Sequence, residues 1–143
     1  MPTRRIREVI EHQPILTTSG DISVREATQR MTEAHVASIM VTEQGHLVGI
    51  FTERDALRRV LAAGRDPART RLADVMTHGP QTVAPDMPLG HALHMMHEGG
   101  FRHVPVVVDG RPVGMISARD ALGLEMVAFE RELRQRDVIS ELL

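Results

Sequence analysis

Two stretches of this chain read as the same phrase. Gly49-Ile50-Phe51-Thr52-Glu53-Arg54-Asp55-Ala56-Leu57 returns 65 positions later as Gly114-Met115-Ile116-Ser117-Ala118-Arg119-Asp120-Ala121-Leu122. The likeness is longer than the phrase. Arg5 to Pro14 matches Arg71 to Pro80 at an offset of 66, and from Asp21/Asp86 onward the offset is 65, through Ala27/Ala92, Met31/Met96, Val41/Val106 and Gly45/Gly110. The first copy therefore carries one extra residue between Ile15 and Gly20. A tandem duplication of this length means one supersecondary unit used twice. At roughly 55 residues, neither copy buries enough surface to be comfortable alone, so the two are expected to pack against each other.

Each copy reads as short strand, helix, hairpin, helix. Asp21 or Ser23 can cap a helix carrying Val24, Ala27, Met31 and Ala34 on one stripe, and Asp86 and Pro88 open its counterpart with Leu89, Ala92, Leu93 and Met96. Gly99-Gly100 ends the second helix. Val104 to Val108 then returns through Asp109-Gly110 into Val113 to Ile116, while Ile39 to Thr42 turns at Glu43-Gln44-Gly45 into Leu47 to Phe51. The near-continuous apolar strands predict sheets covered on both faces. After Thr52 a helix with Ala56, Leu57, Val60 and Leu61 runs to Gly64. The division is residues 1–64, a linker 65–70, and 71–123. Residues 124–143 leave the repeat and form an amphipathic helix, with Leu124, Met126, Val127, Phe129, Leu133, Val138, Ile139, Leu142 and Leu143 on its apolar face. That face requires a partner: its own domain, a second copy, or a separate effector protein.

Composition excludes several classes of function. The chain of 143 residues has no cysteine, so disulfides, thiol catalysis and thiolate metal sites are ruled out. The basic start lacks the apolar run of a signal peptide and no segment approaches a membrane span, so a cytoplasmic protein is expected. With a net charge of −2 and three phenylalanines as its only aromatics, the chain has neither the charge nor the stacking platforms of a nucleic-acid binder. There is no P-loop, no dinucleotide fingerprint and no nucleophile elbow, and an enzyme is not expected. His91, His94 and His97 spread over roughly 120° of helix face, poor geometry for one tetrahedral metal, and read as a solvated face.

The chemistry gathers where each repeated strand hands over to a helix. A helix start suits phosphate, and a carboxylate three residues after the hydroxyl can accept hydrogen bonds from a sugar diol. Thr52/Asp55 and Ser117/Asp120 equally satisfy the capping-box pattern, in which hydroxyl and acid merely close the first helical turn. Arg54 and Arg119 fall in that first turn, where the helix dipole disfavours a cation, so an anion or acidic group is expected nearby.

The tandem copies, the two Gly-to-Asp phrases and the strand Arg102-His103-Val104-Pro105-Val106 resemble the tandem cystathionine-β-synthase (CBS) domains, also called Bateman modules. The resemblance covers about Arg5 to Leu122. It implies an α/β (α+β) fold of two β-α-β-β-α units packed through their sheets, here followed by the C-terminal amphipathic helix. It also implies clefts that bind an adenosyl ligand such as AMP, ADP, ATP, NAD or S-adenosylmethionine, with the Ser/Thr on phosphate and the Asp on ribose. No catalytic cofactor and no metal are implied. Arg102 and His103 stand where related modules place phosphate contacts, whereas the first copy has Ala37 and Ser38 there. Ser117, Asp120, Arg102 and His103 are thus expected to serve one site, and Thr52 and Asp55 a second, weaker or vacant one, with Ser38 a further candidate ligand contact. Val83, Val104 and Ile116 are candidate neighbours of adenine or simply core, and Thr82 is a further candidate contact. The resemblance implies a stand-alone regulator that pairs into a homodimer and signals to an effector. The alternative is a ligand-free dimeric scaffold acting through its C-terminal helix.

Overall fold

Both hairpins form because two consecutive residues at each tip accept the left-handed conformation. Gln44 and Gly45 have φ of 53° and 81°, and Asp109 and Gly110 have 52° and 77°. Such turns match the right-handed twist of the strands they join. In the computed structural model, which describes residues 4–121, 123 and 131–136, these hairpins are β2 (Ser38–Glu43) with β3 (His46–Thr52), and β5 (His103–Val108) with β6 (Arg111–Ser117). Their registers repeat: Ser38 faces Thr52 as His103 faces Ser117, and each ladder slips at the same place, Val41/Thr42 and Val106/Val107.

The other strands and α-helices are α1 (Ile6–Ile10), β1 (Thr17–Thr18), α2 (Val24–Glu33), α3 (Glu53–Asp55), β4 (Thr77–His78) and α4 (Leu89–Gly99), with short 3-10 helices at Leu72–Asp74 and Ala118–Ala121. Strand β1 runs parallel to β2, and β4 runs antiparallel to β3, giving a four-stranded sheet in the order β1-β2-β3-β4. Beside β5, Val83 bridges Val106 in parallel, repeating the Thr18 to Val41 pairing of the first copy. The two hairpins meet where the Leu47 N–H donates to the Gly110 carbonyl at 2.9 Å.

The copies exchange their leading segments. Ile6 and Ile10 of α1 lie in the core built by Val83, Leu89, Ala92, Met96, Val104, Val106 and Ile116, whereas Leu72, Val75 and Met76 complete the core around Val24, Ala27, Met31, Ile39, Val41 and Phe51. The backbone bonds that hold the exchange come in matched pairs. Ile6 N–H reaches Met87 O as Leu72 N–H reaches Ile22 O, and Arg7 N–H reaches Pro85 O as Ala73 N–H reaches Gly20 O, all at 2.9 Å. This explains the glycine that opens each repeated phrase. A Cβ on Gly49 would stand 2.5 Å from Met76 Sδ, and one on Gly114 would stand 2.6 Å from Ile10 Cγ2. Only a residue without a side chain lets the exchanged segment seat against the strand.

Helix α2 is capped by Ser23, whose hydroxyl accepts from the Glu26 N–H, and it buries Val24, Ala27 and Met31; Ala34 serves as its exposed C-cap. Gly100, at φ 70°, ends α4, which buries Leu89, Ala92 and Met96 and leaves His91, His94 and His97 exposed. The helix after Thr52 departs from its expected stripe. Residues Ala56–Leu61 form a π-helix in which Ala62 N–H reaches back to Leu57 O. The wider turn changes which side chains share a face. Val60 is buried at 1%, while Leu57 and Leu61 are 59% and 67% exposed. Of the expected C-terminal helix, residues 131–136 are helical, with Leu133 exposed and Arg136 3.3 Å from Glu132. Leu124, Met126, Val127, Phe129, Val138, Ile139, Leu142 and Leu143 lie outside the described residues. Among the described residues no helix is long and apolar enough to cross a membrane.

Candidate functional site

The exchange leaves two clefts of about 450 and 460 Å³, a size that suits a nucleotide-sized molecule. Each places a strand end and its hydroxyl–acid pair opposite the segment just after an exchanged helix. The first cleft contains Thr52 and Asp55 with Thr77, Gly79, Pro80 and Gln81; the second contains Ser117 and Asp120 with Gln13, Pro14, Ile15 and Leu16. Gln13 fixes that second wall. Its amide donates to Met115 O at 2.9 Å and accepts from Met115 N–H at 2.8 Å, so a side chain completes the edge of β6 where β4 completes the edge of β3.

The acids close their helical turns. In the first cleft Thr52 N–H and hydroxyl donate to Asp55 Oδ2 at 3.0 and 3.2 Å, and Asp55 N–H returns to the Thr52 hydroxyl at 3.3 Å. In the second, Ser117 N–H and hydroxyl donate to Asp120 Oδ2 at 2.7 and 3.3 Å. The capping reading and the ligand reading thus use the same carboxylate, and a carboxylate retains lone pairs for both. The residue four places after the acid differs between the copies. Asp55 Oδ1 is 3.6 Å from Arg59 Nε, whereas the residue four places after Asp120 is Leu124. A diol entering the first cleft competes with that guanidinium.

The first amide of each turn is already engaged across the hairpin. Glu53 N–H donates to Ala37 O at 3.0 Å and Ala118 N–H to Arg102 O at 2.9 Å. Each cleft also brings a cation from its repeated phrase, Arg54 in the first and Arg119 in the second. Arg102 and His103 line both clefts, as does Glu53. Arg102 is exposed and His103 half-buried. Burial lowers the His103 pKa from its ordinary 6.5, against the raising fields of Glu53, Asp120 and Asp55 and with the help of Arg102. A phosphate arriving beside this ring would favour its protonated form. Arg54, expected near an anion, donates to the Gly100 carbonyl at 3.0 Å, at the negative end of the α4 dipole.

Of the residues singled out in the sequence, Ser38, Ser117 and Asp120 come together in the second cleft with Arg102 and His103, and Thr52 and Asp55 face the same pair from the first. Val104 is fully buried beside Val83 and Ile116 in the second core, and Thr82 is exposed and lines neither cleft. Sequence reasoning missed Gln13, Ile15 and Val36, and missed Gln81 and Phe101 on the other side. Ile15 and Val36 are 44% and 39% exposed, apolar surface held open inside the second cleft. Of these only Ile15 borders the one-residue insertion between Ile15 and Gly20, where the copies diverge.

The chain matches the family model of the CBS domain twice, at residues 6–62 and 72–126. It is 32% identical over 125 residues, 84% of its length, to the mitochondrial CBS domain-containing protein CBSX3 of Arabidopsis thaliana, and spans 61% of that protein. It is 36% identical over 107 residues, 74% of its length, to CBSCBSPB5 of the same plant, of which it spans 20%. Among solved structures, the CBS domain pair of protein MJ0100, in complex with 5'-methylthioadenosine and S-adenosyl-L-methionine, superposes with a TM-score of 0.77 at 26% identity, covering 86% of this chain and 96% of that one.

Proposed function

This chain belongs to the CBS domain family, and from that membership we propose that its CBS pair senses an adenine nucleotide and passes the signal to a partner protein. The second cleft is the principal site. Ser117 meets the first phosphate and Asp120 the ribose hydroxyls, Ile15 and Val36 flank the base, and Arg102 with His103 meets the phosphate charge. The observation that carries this reading is the asymmetry at the acids: the Asp55 carboxylate lies 3.6 Å from Arg59, whereas the sequence has an apolar residue at the same spacing after Asp120, and the guanidinium beside it, Arg4, donates to its main-chain carbonyl at 2.7 Å. The adenosyl ligands named with the MJ0100 pair support the ligand class. The exposed arginine between the clefts favours a phosphorylated member: AMP, ADP, ATP or NAD. The protein acts as a regulator in the cytoplasm and not as an enzyme, and a homodimer covers Leu57 and Leu61. Ligand bridging the two copies fixes their relative orientation, and the dimer or the C-terminal helix reports it.

A second reading has one observation in its favour: both acids already serve as helix caps, so a ligand-free scaffold needs no further use for them. Truncation after Gly123 separates the two. The sensor still binds nucleotide, whereas the scaffold loses its association with its partner. Unchanged nucleotide affinity in Asp120→Ala would overturn the site assignment.

A further inference from the structure

We propose that the two clefts are negatively coupled toward phosphorylated ligands, because a single basic pair, Arg102 and His103, serves both. The inference rests on reading the clefts as adenosyl-ligand sites and adds how they regulate each other. Three residues line both clefts: Glu53, Arg102 and His103. The first amide of each helical turn bonds to Ala37 O or Arg102 O. Each cleft also has an arginine of its own, Arg54 in the first, which donates to the Gly100 carbonyl at 3.0 Å, and Arg119 in the second, and Arg102 is the guanidinium that the two clefts have in common. A phosphate in either cleft draws on the shared guanidinium beside that cleft's own arginine, and the planar fork of Arg102 grips one group of oxygens at a time. A second phosphate in the other cleft meets a cation already neutralised, an anion already present, and the Glu53 carboxylate on the common wall. An uncharged adenosyl ligand makes no demand on that pair, and its two binding events are independent. The coupling belongs to charge and not to the shape of the clefts. It makes the module read the first nucleotide bound rather than the sum of two.

Calorimetric titration tests this with AMP and ATP as charged probes and adenosine and methylthioadenosine as uncharged ones. Asp120→Ala isolates the first cleft and Asp55→Ala the second, so each intrinsic constant is measured by itself. For wild-type protein the product of the two binding constants with AMP or ATP is expected to fall on the order of 5- to 150-fold below the product of the isolated ones. With adenosine or methylthioadenosine the two products agree. Arg102→Met, at an exposed position where folding is not at risk, weakens each charged ligand and removes the coupling. Equal products for AMP and ATP in wild-type protein, coupling that survives Arg102→Met, or binding confined to one of the isolated clefts would each overturn the inference while leaving the sensor reading intact. No heat from any of the four ligands would overturn both.

Discussion

Ile6→Ala probes the exchange on which both clefts depend. Ile6 belongs by sequence to the first copy, is fully buried, and packs with Val104, Val106 and Ile116 of the second. Removing three buried carbons loses their transfer free energy and leaves a cavity, together about 2–5 kcal/mol. The upper part of that range is expected, since α1 has five residues and no independent helical stability. It is seated by Ile6 N–H to Met87 O and Arg7 N–H to Pro85 O at 2.9 Å and by Leu89 N–H to Arg4 O at 2.8 Å. Against a total stability of roughly 5–15 kcal/mol, the loss is a large fraction. The effect should also be directional. Amide protection should fall at Val104, Val106 and Ile116 before Ile39, Val41 and Phe51, since the latter core closes with Leu72, Val75 and Met76 instead. Urea unfolding followed by circular dichroism gives the magnitude, and hydrogen exchange gives the direction. A loss below about 0.5 kcal/mol, or first loss of protection around Phe51, would refute the exchange as the source of the fold's cohesion.

Other consequences are sharp enough to measure. Gly114→Ala places a methyl 2.6 Å from Ile10 Cγ2 and should cost about 1–3 kcal/mol in urea unfolding, with Gly49→Ala costing less because the atoms it meets are the flexible end of Met76. Gln13→Leu keeps the side-chain volume but leaves the Met115 N–H and carbonyl unpaired; a loss of about 1–3 kcal/mol, with weaker nucleotide binding in the second cleft, is expected from denaturation and calorimetry. His103 has a pKa held below 6.5, so the unfolded chain binds its proton first. Its neutral, half-buried form costs nothing above pH 6.5, and stability falls as pH drops below 6.5 toward the lower folded value. A phosphate placed among Arg102, Glu53, Asp55 and Asp120 raises that pKa, so nucleotide binding takes up a proton and tightens as pH falls. His103→Gln should flatten both profiles, read by melting temperature and by calorimetry in buffers of different ionisation heat.

The architecture was open to sequence reasoning because the duplication supplies two readings of every element. Gly45 and Gly110 mark equivalent turns, and Val41 and Val106 equivalent buried strand positions. The helix after Thr52 was harder. Ala56, Leu57, Val60 and Leu61 have helical spacing, but the π-turn breaks the periodicity that spacing assumes, and Leu57 and Leu61 emerge in solvent. The exchange was not legible at all. Apolar periodicity shows that Ile6 and Ile10 are buried, but not in which copy's core. That limit carried into the clefts. Ser117 and Asp120 stand out because their phrase repeats, whereas Gln13, Ile15 and Val36 reach the same cleft through a topology that local pattern does not encode. For the same reason Arg102 and His103 read as belonging to one site, although they stand on the wall between two.

The central claim is that Asp120 holds an adenosyl ligand in the second cleft. Without Trp or Tyr the chain offers no useful intrinsic fluorescence, so isothermal titration calorimetry of nucleotide-stripped protein is the direct test. AMP, ADP, ATP, NAD and S-adenosylmethionine are titrated into wild-type protein and Asp120→Ala. The account predicts saturable binding of a phosphorylated ligand that weakens about 10- to 150-fold in the variant, the loss expected from hydrogen bonds to a charged acceptor. Heat from none of these ligands in folded protein, or equal affinity in Asp120→Ala, would contradict it.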